Sequence, residues 1–411
     1  MPRRRRLTYA IFAAATGLAL VALAVAPRRT HAVAPPPVVT PPPPPIVHLA
    51  PIPPPPVEPP PIVKAVDKPP RIEVVFALDT TGSMSGLIEG AKRKIWSIAD
   101  FLSSAQPRPE VRIGLVAYRD IGDEYVTRFY DLTDDIDLQF KRLQSFSADG
   151  GGDTPEHVAR ALHDAVDRAS WSPDSNDQKL VKLIYVVGDA PPHTDYHDGF
   201  DYKAIARRAA EKGIHVNTVR CGSDPETAVA WKTIARLGHG DFSSVQQSGG
   251  MVAVTTPYDD KLAELNKKLA ATAVGYGTAA HRHMVMEKVE SATHASGGVA
   301  ADRAAFSARN GFAVSGEGDL LNDVKTGKVK LDSLGPAALP APIAAAAPPA
   351  QAAWLEEKQA ERKKIIDEIN TVAKTRGTYL EKARAKKAPS ESGFDDELRR
   401  SVKDEAKAFK F

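Results

Sequence analysis

A single cysteine in 411 residues, Cys221, excludes an intramolecular disulfide framework and a cysteine-based zinc site. No glycine-rich loop runs into Lys-Ser or Lys-Thr, so no phosphate-binding loop of that kind is encoded. Gly82-Ser83-Met84-Ser85-Gly86 has the glycines of a hydrolase elbow, but its central residue is Met, which cannot act as the nucleophile. With no evident nucleophile–base pair, the chain reads as non-enzymatic. It also lacks a strong charge of one sign. The net charge is +3, but residues 1–32 hold six Arg and no acid, so without them it becomes −3. That balance argues against nucleic acid as a partner. The 43% hydrophobic and 26% charged content is nonetheless globular, enough for one core of about 200 residues with attachments.

Proline is plentiful in one place. Eighteen of the 34 prolines fall between Pro35 and Pro70. Such a run cannot form a helix or a central strand and favours extended polyproline II, at about 3.1 Å per residue. Residues 33–70 therefore read as a stiff linker. Before it, Arg3 to Arg6 precede twenty uncharged residues, Leu7 to Ala26. The pattern fits a signal peptide with Thr30-His31-Ala32 as cleavage site. It equally fits a membrane anchor, being just long enough to cross a bilayer core of roughly 30 Å. Either choice places the rest outside the cytoplasm, as a periplasmic, secreted or anchored protein.

From residue 71 apolar strands alternate with amphipathic helices. Arg71–Asp79, Val111–Tyr118, Tyr125–Leu132, Leu180–Val187, Ile214–Val219 and Asp241–Val245 read as strands. The second and third strands are separated from the rest by helical patterns, including one that Pro155 is expected to open. The expected fold is α/β: a doubly wound, mostly parallel six-stranded sheet flanked by helices, with further helices C-terminal to it. Ligands of such sheets bind at the carboxyl ends of the strands, which directs attention to three loops. Asp79-Thr80-Thr81-Gly82-Ser83 follows the first strand, Gly151-Gly152-Asp153-Thr154 precedes a helix, and Gly188-Asp189-Ala190 follows Leu180–Val187. Their acids and hydroxyls are an oxygen-only donor set. That suits a hard cation, Mg²⁺ first, with Mn²⁺ or Ca²⁺ as alternatives. Two acids and three neutral hydroxyls leave a divalent ion under-neutralised and able to accept a partner's carboxylate.

The first loop resembles the Asp-x-Ser/Thr-Gly-Ser motif of von Willebrand factor type A domains, and the resemblance extends over about residues 71–250. It implies a Rossmann-like fold and a metal-ion-dependent adhesion site. Carried over, Thr81, Ser83 and Thr154 are the hydroxyl ligands, and Asp79 and Asp189 the acids that hold the metal, often through water. An Asp or Glu of a protein partner would complete the coordination. Ala117-Tyr-Arg-Asp120, Gly150-Gly-Gly-Asp-Thr-Pro-Glu156 and Val187-Gly-Asp-Ala-Pro-Pro-His193 are similar to a group of exported bacterial proteins with this domain. Gly188 and Ala190 depart from the family, which usually has Thr and Gly around that Asp. Asp120, Asp153 and His193 are expected on the rim. His193 and His197 have zinc-like spacing only if helical, which Pro191, Pro192 and Gly199 oppose.

The expected organisation is then a signal or anchor at 1–32, a Pro-rich linker at 33–70, the α/β domain at 71–250 and a helical extension at 251–338. An Ala/Pro linker at 339–350 and a charged helical region at 351–411 complete it. The last has fifteen basic and twelve acidic residues, a solvated salt-bridged helix expected to pack on the main domain. The functional expectation is an adhesion module contacting the membrane only through its N-terminus. The alternative is an assembly or regulatory subunit of an envelope complex that uses the domain without a metal bridge. Nothing in the sequence sets the oligomeric state.

Overall fold

The computed structural model describes residues 68–152, 154–175, 178–295, 297–386 and 392–408. The expected signal or anchor and all but the end of the Pro-rich linker lie outside these residues. Among the described residues, no helix is long and apolar enough to cross a membrane.

The strands are β1 (Arg71–Asp79), β2 (Glu110–Tyr118), β3 (Thr127–Thr133), β4 (Leu180–Gly188), β5 (Ile214–Cys221) and β6 (His239–Val245). They form a six-stranded sheet in the order β3-β2-β1-β4-β5-β6. Only the β2–β3 pairing, at one edge, is antiparallel. The central strands are apolar almost throughout because both faces are covered. Ile72, Val74, Phe76 and Leu78 point into one core with α1 (Ser85–Leu102) and α2 (Ile136–Gln144). Val75 and Ala77 face the opposite core with α3 (Val158–His163), α4 (Tyr202–Glu211) and α5 (Pro225–Leu237). Cys221 is buried as a small apolar residue, and burial pushes its thiol up.

One helix starts later than its proline suggests. Residues 155–157 are not helical: Glu156 forms an isolated bridge to Pro192, and α3 begins only at Val158, capped by the His157 ring. The demand for backbone pairing beside the β4 loop overrides the proline signal.

The C-terminal half is α6 (Asp259–Ala270), α7 (Ala279–His294), α8 (Gly297–Asn310), α9 (Leu320–Lys325), α10 (Pro348–Arg384) and α11 (Phe394–Ala408). It packs with the sheet into one compact unit. Leu262, Leu265 and Leu269 of α6, Ala301 and Ala304 of α8 and Ile369 of α10 share a core. Buried arginines join the elements. Arg303 reaches Asp137 of α2 at 2.9 Å, and Arg376 of α10 reaches Asp259 at 2.7 Å and Asp302 at 2.6 Å. The segment expected as an Ala/Pro linker is instead packed, with Leu339 and Ile343 buried against Leu320, Leu321 and Leu355. The charged C-terminal region does pack on the main domain. Its α11 places Phe394, Leu398 and Val402 in the same core as Phe76 and Tyr185, so a boundary at residue 250 divides a core that the fold keeps whole.

Candidate functional site

The strand order sets the position of the site. From β1 the chain steps to β2 on one side and returns through β4 on the other, so the carboxyl ends of β1 and β4 flank the topological switch point, where a crevice opens. Asp79 is the last residue of β1, and Asp189 directly follows β4.

Asp79 is fully buried. Its Oδ1 accepts hydrogen bonds from the Thr81 N–H at 2.9 Å and the Thr81 hydroxyl at 2.7 Å. Its Oδ2 is buried and has no partner among the described residues. The tight turn Gly82–Met84 then brings the exposed Ser83 hydroxyl to 3.3 Å from that of Thr81. The Gly82 N–H donates to the Gly150 carbonyl at 3.2 Å, which draws the second loop over the first. Gly151 has φ +82° and packs so tightly that a Cβ there would lie 3.1 Å from Thr81 Cβ. Its N–H donates to the Asp123 carboxylate at 3.2 Å. Asp189 is half-buried. Its carboxylate accepts from the Gln247 side-chain amide and its carbonyl from the Thr227 hydroxyl at 3.0 Å.

Thr81, Ser83, Thr154, Glu156 and Asp189 thus line one cleft of about 210 Å³, with Thr154 exposed at its mouth. Asp79 does not line it directly; it lies behind Thr81, whose hydroxyl it orients. Asp120 and His193 are absent from the lining too. They are tied to each other, with Asp120 accepting from the Tyr196 hydroxyl at 2.6 Å and lying 3.3 Å from His193 Nε2. The His193 ring stacks on Tyr196 at 4.0 Å. Asp153 lies outside the described residues. The His193–His197 stretch is not helical, and no group of three or more His, Cys, Asp or Glu side chains among the described residues is arranged to hold a metal by itself.

The electrostatics are one-sided. Burial foremost, with the charge of Asp189 adding to it and the Thr81 hydrogen bonds opposing it, pushes Asp79 up to about 7. Burial, then the charges of Asp79, Asp120, Asp123 and Asp189, pushes Glu156 up to about 9. No Lys or Arg is among the residues lining the cleft. An oxygen-only donor set, an orphaned carboxylate oxygen and mutually repelling acids fit a hard divalent cation.

Glu156 is the residue that sequence reasoning missed as part of the site, although it stands two positions after Thr154. The departure at Gly188 has a steric reason. A Cβ there would meet the buried Tyr118 hydroxyl at 2.3 Å and Asp79 Oδ2 at 3.0 Å, so the tyrosine occupies the space that a larger residue would need.

Residues 73–256 match the family model described as von Willebrand factor A domain. A stretch of 141 residues is 26% identical to Alpha-protein kinase vwkA of Dictyostelium discoideum, covering 34% of this chain but only 21% of that protein. Among solved structures, an aerotolerance-related membrane protein from Bacteroides fragilis is 21% identical, covering 43% of this chain and 92% of its own, with a TM-score of 0.30. Proximal thread matrix protein 1 from the mussel byssus, with a zinc-occupied MIDAS motif, is 12% identical, covering 44% of this chain and 42% of its own, with a TM-score of 0.33.

Proposed function

We propose that the von Willebrand factor A domain of this chain captures an Asp or Glu side chain of a protein partner through a divalent metal, Mg²⁺ by preference, outside the cytoplasm. The observation that carries this reading is the shared cleft of Thr81, Ser83, Thr154 and Asp189, with Asp79 Oδ2 buried behind it and without a hydrogen-bond partner among the described residues. Thr81, Ser83 and Thr154 would supply hydroxyl oxygens, and Asp79 and Asp189 the charge. When bound, the metal supplies a Lewis-acidic position for one carboxylate oxygen of the partner. Asp79 fixes the Thr81 hydroxyl by accepting its hydrogen bond, which turns the lone-pair side of that oxygen away from Asp79. Gln247 and Thr227 hold Asp189 in place from the β6 and α5 sides. The Arg-led uncharged run at 7–26 and the Pro-rich stretch after it support export, with the domain held away from a membrane or released after cleavage.

The test is capture from a cell-envelope extract with the full chain as bait, in Mg²⁺, in EDTA, and as the Asp79→Ala variant in Mg²⁺. The expected result is a partner held by the wild type in Mg²⁺ and reduced to background in the other two arms. A partner retained equally in all three would contradict the metal bridge and favour an assembly or regulatory subunit that binds through other surfaces.

A further inference from the structure

Glu156 has a setting that the structural needs of the fold do not explain. It is only 3% exposed, yet its Oε2 has no hydrogen-bond partner among the described residues. A buried polar atom left unsatisfied is costly, and a buried carboxylate more so. Its backbone is fixed on both sides. The Glu156 N–H donates to the Pro191 carbonyl at 2.9 Å, and the His193 N–H donates to the Glu156 carbonyl at 3.1 Å. The bridge to Pro192 therefore holds the residue against the β4 loop and its side chain in the same cleft as Thr81, Ser83, Thr154 and Asp189. Its Oε1 lies 3.5 Å from the position a Cβ would take on Gly151, at the wall where the first two loops meet.

On the metal-site reading proposed above, we infer that Glu156 is a third carboxylate of the metal site, acting with Asp79 and Asp189 on a bound divalent cation by accepting hydrogen bonds from its coordinated waters rather than by direct ligation. Two consequences follow from the charge count. Three carboxylates against a divalent ion leave a net negative site that retains its cation without a partner. The same third charge weakens the pull on a partner's acid, so capture of that acid is readily reversible.

The test is calorimetric titration of Mn²⁺ into the full chain, as wild type, Glu156→Gln, Glu156→Asp and Asp79→Asn. Thermal melts in EDTA check that each variant is folded. The expected result is that Glu156→Gln weakens Mn²⁺ binding about 10- to 100-fold, the range for groups that support a metal's ligands. Glu156→Asp, which keeps the charge but withdraws the oxygens, falls between, and Asp79→Asn removes measurable binding. Should Glu156→Gln fail to fold, the Glu156→Asp titration decides. Affinity within twofold of wild type, or tighter, in a folded Glu156 variant would overturn the inference while leaving the metal site standing. A wild type that binds no Mn²⁺ would overturn the metal site itself, and the inference with it.

Discussion

Leu398→Ala lowers the unfolding free energy of the full chain by about 2–5 kcal/mol, and Phe394→Ala by about 3–5 kcal/mol, the range for emptying a filled core position. Leu398 is fully buried and Phe394 is 2% exposed. The Phe394 ring packs edge-on to Phe76 of β1 and Tyr185 of β4, with ring centroids 6.0 Å apart in each case. The contact is reinforced by polar links. The Phe394 N–H donates to the Gly249 carbonyl at 2.9 Å, and Tyr185 and Ser401 share a hydrogen bond between their hydroxyls. α11 thus closes one face of the sheet although it lies about 150 residues beyond β6 in the chain. Urea denaturation followed by far-ultraviolet circular dichroism measures the effect. A loss below about 1 kcal/mol for both variants would mean that α11 is not part of the sheet's core.

The second large effect is a dependence of stability on pH that the metal reverses. Without metal, Asp79 has a folded-state value of about 7 against an ordinary value of 3.8. Between those values the folded state holds more protons than the unfolded state, so stability falls as pH rises. The stabilising contribution of a protonated Asp79 is fully present below about pH 4 and lost by about pH 7. At about 1.4 kcal/mol per unit that amounts to roughly 4 kcal/mol. Glu156, raised in the same direction to about 9, extends the decline into alkaline solution. In EDTA the wild type therefore melts at a lower temperature at pH 8 than at pH 5. Asp79→Asn, which cannot ionise, melts at least as high as the wild type at pH 8. Saturating Mg²⁺ raises the wild-type midpoint at pH 8 more than at pH 5 and leaves that of Asp79→Asn unchanged. Melts at the two pH values, with and without Mg²⁺, check this. A wild type in EDTA that gains stability from pH 5 to pH 8 would contradict the assignment of Asp79 as a strained, buried acid.

Much of the α/β domain was legible because its strands are buried on both faces. Runs such as Ile72–Leu78 and Val181–Val187 are almost uniformly apolar, and the helices between them carry regular stripes. The loops were legible for a related reason. In a doubly wound sheet the chemistry follows the strands, and Asp79 ends β1 while Asp189 directly follows the adjacent β4. What escaped was information carried by long-range packing. The three apolar contacts of α11 are spaced four residues apart but sit in a strongly charged segment that reads as a solvated helix. α7 has only Val285 and Ala292 buried and exposes Met284 and Met286, so it shows no apolar stripe in the sequence. Glu156 escaped because a buried carboxylate oxygen with no partner among the described residues has no local signature. Its setting exists only once the β4 loop lies alongside residues 154–157.

The most direct test of the central claim is a crystal structure of the full chain grown with Mn²⁺, with anomalous scattering recorded at the manganese edge. The account predicts one strong anomalous peak in the cleft, within bonding distance of the Thr81 and Ser83 hydroxyls and flanked by Asp189 and Glu156. A well-ordered cleft without such a peak, in crystals saturated with Mn²⁺, would contradict it.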